Sequence, residues 1–155
     1  MEINIQGKKA FVCGSTQGIG KAAAIELANL GASIVLLARN EDSLKRVKDE
    51  LNTAQNQQHD YIVADFSKPD ELKNKVAEYF ETNSLPVHIL INNTGGPPAG
   101  KSIEAKLEEF INAFQTALSF RLQVPRRSIQ TARDLLFIER NFRRHNRPYI
   151  FVHIL

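Results

Sequence analysis

Between a short apolar run at residues 8–13 (KKAFVC) and a stretch with helical periodicity lies the loop Gly14-Ser15-Thr16-Gln17-Gly18-Ile19-Gly20. A strand that ends in glycine and re-enters at once as a helix must turn sharply. The helix then begins with backbone amides that have no partner inside it. Those amides, with the positive end of the helix dipole, form a place to cradle a phosphate. In such a loop Gly14 permits the tight turn, Gly18 lets the backbone approach a pyrophosphate, and Gly20 lets the helix lie close against a sheet. The spacing by itself is a weak signal, since a glycine turn needs no ligand. It gains meaning from a second apolar strand at residues 33–38 (SIVLLA), which ends 24 residues beyond Gly14.

The same alternation continues through the first 120 residues. Ile19, Ala22, Ala23, Ile25, Leu27, Ala28 and Leu30 predict a helix closed by Gly31. Asn40 can cap the next helix, on which Leu44, Val47 and Leu51 recur at helical spacing. A third strand is expected over residues 61–64, then a helix over 68–80 with Leu72, Val76 and Phe80 on one face. A fourth strand at 87–91 (VHILI) runs into a Gly- and Pro-containing loop at 94–100. Ser102 can cap a further helix carrying Leu107, Phe110, Ile111, Phe114 and Leu118. Beyond Phe120 the pattern weakens: residues 126–144 can continue as helix, and 149–155 (YIFVHIL) have the composition of a strand. Strands apolar on both faces, alternating with helices, imply a parallel sheet covered on each side. The expected fold is therefore α/β: a doubly wound parallel sheet of Rossmann type, incomplete, with strand order 3-2-1-4 and an atypical C-terminal tail. Ligand is expected at the carboxyl ends of its strands. Residues 1–120 form the dinucleotide-binding domain in this reading, and 121–155 form the tail. Strand four is then an apolar edge unless 149–155 pairs with it.

The end of strand two bears on which dinucleotide fits. Folds of this kind that take NAD place an acid there to accept hydrogen bonds from the ribose hydroxyls. Those that take NADP remove the acid and supply an arginine for the 2′-phosphate. The chain reads Leu37-Ala38-Arg39-Asn40, with no acid and one guanidinium. NADP is the expected cofactor, with Arg39 as its discriminating contact; the alternative is a solvated loop charge.

Three motifs in order resemble the short-chain dehydrogenase/reductase family. The glycine loop reads CGSTQGIG, with Cys13 where the family carries threonine. Ala64-Asp65-Phe66-Ser67 is similar to the family's Asp after strand three, and Asn92-Asn93-Thr94-Gly95 to its Asn-Asn-Ala-Gly after strand four. The Gly-Gly-Pro-Pro stretch at 95–98 is closest in flavour to the 3-oxoacyl-(acyl carrier protein) reductase-like group. The resemblance implies that Asp65 meets the adenine ring and that Asn92 and Gly95 border the cofactor. It also implies that Gly14, Ser15, Thr16, Gln17, Gly18, Ile19 and Gly20 wrap the pyrophosphate. Read alone, Asp65 is a capping or solvated acid, and Asn92 and Asn93 are polar groups that satisfy neighbouring strand backbones.

The reaction that the resemblance implies is hydride transfer between nicotinamide and a carbonyl or alcohol. It needs a tyrosine acid/base helped by a lysine four residues on, and a serine to hold the substrate oxygen. The three tyrosines are Tyr61, Tyr79 and Tyr149, and four residues on stand Asp65, Asn83 and His153. The family's helix asparagine would fall near Ala117, so no catalytic residue is assigned. Basic residues also change character along the chain. Residues 1–120 hold ten Lys and two Arg against fifteen acids, whereas 121–155 hold eight Arg, no Lys and two acids. One reading is a tail translated out of frame, or a truncation of a longer reductase. Residues 139–154, read from the second base of permitted codons, can spell Lys-Glu-Thr-Ser-Gly-Asp-Ile-Ile-Val-Leu-Ile-Ser-Ser-Ser-Ile-Ser, near the place of the family's serine strand.

Two other functions stay open: a binding module that holds a nucleotide or partner without chemistry, and anion or nucleic-acid binding by the arginine tail. The tail carries no recognisable nucleic-acid motif, which makes nucleic acid the weaker partner. A homo-oligomer is implied by resemblance only. No run of 18 or more apolar residues and no apolar leader is present, so no membrane association is expected. One cysteine, Cys13, excludes an internal disulfide and fits a reducing cytoplasm. Its spacing to His59 and His88 suggests no metal site.

Overall fold

The computed structural model describes residues 4–83, 86–93, 106–109 and 111, and the backbone of two further strands at 136–138 and 150–154. The expectations for the loop at 94–100, the Ser102 cap, and Phe110, Phe114 and Leu118 lie outside the described residues. The elements are β1 (Lys9–Cys13), α1 (Gly18–Asn29), β2 (Ser33–Ala38), α2 (Glu41–Glu50), β3 (Asp60–Val63), α3 (Pro69–Thr82), β4 (Ile89–Asn93), β5 (Leu136–Ile138) and β6 (Ile150–Ile154). Residues 107–109 and 111 are helical, as expected, with Leu107 and Ile111 exposed.

The strands form one sheet in the order β3-β2-β1-β4-β6-β5. The first four are parallel and follow the expected order, with Val12 opposite Leu36 on one side and Ile91 on the other. β6 pairs antiparallel with β4, setting Asn92 opposite Phe151, and β5 pairs antiparallel with β6. The sheet is thus mixed, and β4 is an interior strand. The expected strand at 149–155 is present over 150–154; within the helix expected across 126–144, residues 136–138 (LFI) are β5 instead, and the rest of that range lies outside the described residues. A short apolar run satisfies either periodicity, and here the unpaired side of β6 supplies backbone partners that decide for strand.

Period-two alternation sends each strand's side chains to two layers. Ala10, Val12, Ile34, Leu36 and Ile91 pack beneath α1 and α2 with Ala24, Ala28, Leu44 and Val47. Phe11, Cys13, Val35, Leu37 and Leu90 pack on the other side with Leu72 and Val76 of α3. There Phe11 stacks on Phe80 at 5.6 Å between ring centroids and meets Tyr79 edge-on at 5.4 Å. α1 departs from expectation in the face it buries. Its large residues are not the ones fully covered: Gly20, Ala24 and Ala28 are buried, Ala22 is exposed, and Ile19 is 43% exposed. Three small residues at four-residue spacing bring the helix axis close to β1, so the side with least volume faces the sheet. α2 starts as expected, with the Asn40 side chain accepting from the Ser43 amide at 2.8 Å.

At the amino ends of the strands, two histidines act as backbone acceptors. His88 Nδ1 accepts from the Lys9 amide at 3.1 Å, while the His88 amide donates to the Lys9 carbonyl at 2.9 Å. His59 Nδ1 accepts from the Ile34 amide at 3.0 Å, with Nε2 at 2.9 Å from the Asn52 carbonyl. An Nδ1 that accepts cannot carry a proton, so the fold selects the neutral imidazole. Burial holds both histidines below the ordinary value of 6.5; Lys48 adds to this at His59, and Lys8 and Lys9 at His88, while the Asn52 carbonyl opposes it. The sign follows: the unfolded chain binds these protons first, so the contribution is complete above about pH 6.5 and lost as pH falls through the lowered folded values. Urea unfolding at pH 7.5 and pH 5.0 should show a drop that shrinks in His59→Asn/His88→Asn, whose amide oxygens accept without titrating. A drop of unchanged size would show that these histidines carry none of it.

Candidate functional site

The carboxyl ends of β1, β2, β3 and β4 converge on the glycine loop. Gly14 has φ +57° and Gly18 has φ +56°, a conformation that costs other residues about 1–2 kcal/mol. The two differ in surroundings. A Cβ on Gly14 would run into the Asn93 carbonyl oxygen, whereas one on Gly18 would meet nothing within 4 Å. Gly14 is therefore sterically enclosed, and Gly18 borders open space. Gly20 is enclosed as well: its Cβ would fall onto the Gly14 carbonyl oxygen and the Asn93 side-chain amide. Gly14 and Gly20 thus take the turning and packing roles read from the spacing, with Asn93 as the third partner.

Asn93 was not among the expected cofactor residues. Its Nδ2 donates to the carbonyls of Cys13 at 3.4 Å and Gly14 at 3.3 Å, tying the end of β4 to the loop. The signal in the sequence was the polar pair Asn92-Asn93 closing an apolar strand, where the backbone-satisfying reading holds for Asn93. Asn92 is buried on the same strand. Ser15 is also buried, and its hydroxyl donates to the Leu37 carbonyl at 3.4 Å, so its side chain anchors the loop to β2. The first backbone amides of α1, from Gly18 on, have no partner within the helix. Cys13 is buried, and burial pushes its thiol far above the ordinary range, consistent with a packing role.

Gln17 stands at the N-cap of α1 with extended dihedrals and makes no side-chain cap; no acid stands in the first turn. The partial positive charge of α1 thus faces the loop uncompensated by its own residues. Thr16 is half-buried, and Gln17, Gly18 and Ile19 are exposed around that end. Beyond β2, Arg39 is exposed and lies near enough to Asp65, beyond β3, to act on its charge. The Asp65 carboxylate accepts from the Ser67 amide at 3.0 Å and the Ser67 hydroxyl at 2.8 Å. These bonds, then the cations of Arg39 and Lys68, hold its pKa below the usual value. Asp65 is thus an ionised acid that shapes the turn after β3, and its remaining acceptor capacity faces the same edge as Arg39. Gly95 lies outside the described residues. Among the described residues, no group of three or more His, Cys, Asp or Glu could hold a metal.

A sharp glycine turn, an uncapped helix end, and an arginine where an acid would refuse a phosphate are what a phosphorylated dinucleotide requires. The donors present therefore fit that group. The comparisons agree with the class of fold: the model of the short chain dehydrogenase family matches residues 8–126. The chain belongs to this family.

Among its relatives, the glucose 1-dehydrogenase of Gluconobacter oxydans is 36% identical over 104 residues, which are 67% of this chain and 39% of that one. The human protein named inactive hydroxysteroid dehydrogenase-like protein 1 is 42% identical over 89 residues, 57% of this chain and 26% of the relative. Among solved structures, L-sorbose reductase of Gluconobacter frateurii, complexed with NADPH and L-sorbose, superposes with a TM-score of 0.69 at 28% identity. It covers 81% of this chain and 48% of that one. The chain spans less than half the length of these relatives. Among the described residues, no helix is long and apolar enough to cross a membrane.

The contact among Gly14, Gly20 and Asn93 predicts that Gly20→Ala lowers stability by about 1–3 kcal/mol, the range for forcing a methyl into filled space. Asn93→Ala, which removes the donor to two carbonyls, should cost a similar amount. Because both act through one contact, the double variant should lose less than the two losses added. Urea unfolding midpoints decide this: Gly20→Ala matching the wild type would show the contact to be slack.

Proposed function

We propose that this chain is the NADP(H)-binding part of a short-chain dehydrogenase/reductase-type oxidoreductase acting on a carbonyl or alcohol, and that it binds the cofactor without turnover. The observation that carries the reading is Arg39 at the carboxyl end of β2, with Ala38 before it where an acid would select NAD. The likeness to L-sorbose reductase, solved with NADPH, supports the same choice. In this proposal the loop from Gly14 through Ser15, Thr16, Gln17, Gly18, Ile19 and Gly20 takes the pyrophosphate on its amides. Arg39 pairs with the 2′-phosphate, Asp65 meets the adenine, and Asn92 and Gly95 border the nucleoside and nicotinamide side. The cofactor when bound supplies a hydride; this chain's residues bind and orient it. Cofactor binding is placed in residues 1–120, and no function is given to 121–155. The buried, unpaired thiol of Cys13 fits a cytoplasmic location.

The absence of turnover follows from the side chains present. No tyrosine of this sequence has a lysine four residues on. Of the two described tyrosines, Tyr79 packs against Phe11, its hydroxyl takes a hydrogen bond from Lys9 at 3.3 Å, and burial pushes its pKa up to about 12. Tyr61 donates to Glu41 at 3.2 Å, and its pKa is also raised. Neither is poised to exchange a proton near neutral pH. A 3-oxoacyl or other ketone substrate therefore belongs to a longer reductase of which this is the cofactor half. A second reading, a non-catalytic nucleotide- or partner-binding module, is favoured by the likeness to the human protein named inactive.

Calorimetric titration should show NADPH binding at least tenfold more tightly than NADH, since a charge-assisted hydrogen bond contributes roughly 1.5–3 kcal/mol. Arg39→Ala should abolish that difference. Equal affinities in the wild type would remove the NADP reading, and substrate-dependent NADPH oxidation by the purified chain would remove the claim of no turnover.

A further inference from the structure

The turn between β3 and α3 carries a serine that the cofactor reading leaves unused. Ser67 is exposed there, just ahead of α3. Of the serines and threonines in the chain, it is the one with acids at both the third and the fourth place after it, Asp70 and Glu71. Both acids stand exposed in the first turn of α3. A serine three residues before an acid can also spell a capping box. Here it is not one, since the cap of α3 is Lys68 and no side chain caps the helix. The Ser67 hydroxyl instead donates to Asp65 Oδ1 at 2.8 Å, beside the bond from its own amide to the same oxygen at 3.0 Å. Asp65 in turn lies in the field of Arg39 and Lys68. Lys68 is held by Glu71 at 3.5 Å, whereas among the described residues no carboxylate forms a salt bridge with Arg39. An anion built onto Ser67 would therefore enter a place where one guanidinium has charge to spare.

We infer that Ser67 is a phosphorylation site, and that a phosphate there weakens NADPH binding by drawing Arg39 to itself. The acids at Asp70 and Glu71 suit a serine/threonine kinase with a basic substrate groove, because kinases select substrates by charge pattern. In the reaction Ser67 Oγ attacks the γ-phosphorus of ATP. The Oγ–P bond forms as the bond from that phosphorus to the β–γ bridging oxygen breaks. The hydroxyl proton goes to the base of the kinase, and ADP leaves. Asp65 then loses its hydroxyl donor and gains a dianion as its neighbour, which like charge repels. The phosphate also competes for Arg39 as a tethered anion against a free one, and tethering favours it at any cofactor concentration below its effective one. This inference rests on the NADP reading above and adds a means of regulation to it.

The test is to incubate the full chain with ATP and casein kinase, an acid-directed serine/threonine kinase, and to locate phosphate by mass spectrometry of its peptides. Ser67 should take the phosphate, and Ser67→Ala should leave the peptide that spans it unmodified. Calorimetric titration should then show NADPH bound about tenfold more weakly by the phosphorylated chain, with a smaller loss for NADH, which has no 2′-phosphate. In Arg39→Ala the modification should weaken NADPH binding by less than it does in the wild type. Ser67 and Arg39 are exposed, so these forms are expected to fold. No phosphate on Ser67 overturns the inference, as does unchanged NADPH affinity in the phosphorylated chain. Equal losses in the wild type and Arg39→Ala overturn it too, since the phosphate would then act through the fold and not through the guanidinium. Each of these leaves the NADP reading standing while the unmodified chain binds NADPH more tightly than NADH. An unmodified chain that binds both alike removes that reading and this inference with it.

Discussion

Gly14, Gly20 and Asn93 meet where β1 ends, α1 begins and β4 ends, and their contact leaves no space for a side-chain carbon on either glycine. Much else follows from that closeness. With α1 drawn against the sheet, only small side chains fit on its inner face, which is why Gly20, Ala24 and Ala28 are the residues buried there. The same closeness places the first turn of α1 directly after the loop. Asn93 holds the arrangement by donating to the carbonyls of Cys13 and Gly14. The open face of the glycine loop is thus a by-product of tight packing.

The two ends of the sheet have opposite chemistry. At the amino ends, His59 and His88 serve as neutral acceptors for strand amides, and Lys9 reaches the Tyr79 hydroxyl in a half-buried setting that lowers its own pKa. Every polar group named there is engaged in holding a strand to its neighbour or to α3. At the carboxyl ends, Arg39 is exposed and Asp65 is ionised, with acceptor capacity left after its bonds to Ser67. Polar groups committed to backbone stabilise the fold, whereas charged groups with capacity to spare are the ones that can meet a ligand. On this criterion the carboxyl edge is the side with groups free to meet a ligand.

The far side of the sheet is completed from a distant part of the chain. β4 carries β1 on one side and β6 on the other, so 150–154 closes what would otherwise be an apolar edge. Antiparallel pairing needs no crossover helix, which lets a short segment do this. β6 in turn presents its outer side to β5, so the edge is moved outward to a strand of three residues.

Residues 9–93 were legible because each local signal agreed with the others. Apolar strands of four to six residues, Asn40 as a cap and Gly31 after a helix all point to one alternation, and only a parallel sheet covered on both faces can bury such strands. The glycine roles and the absence of an acid beside Arg39 were likewise readable, because steric room and charge are properties of residue type. What the sequence could not decide was which groups are already engaged. Ser15 turned inward to Leu37 and Asn93 bound to two carbonyls depend on where separate elements come to rest. The segment at 136–138 is the same case in reverse: its apolar run suits helix or strand, and the open side of β6 chose. Local pattern thus determined the elements and their order. The close approach of α1, β1 and β4, and the last strand partners, were decided by tertiary packing, because a contact distance is a property of two segments and is encoded in neither alone.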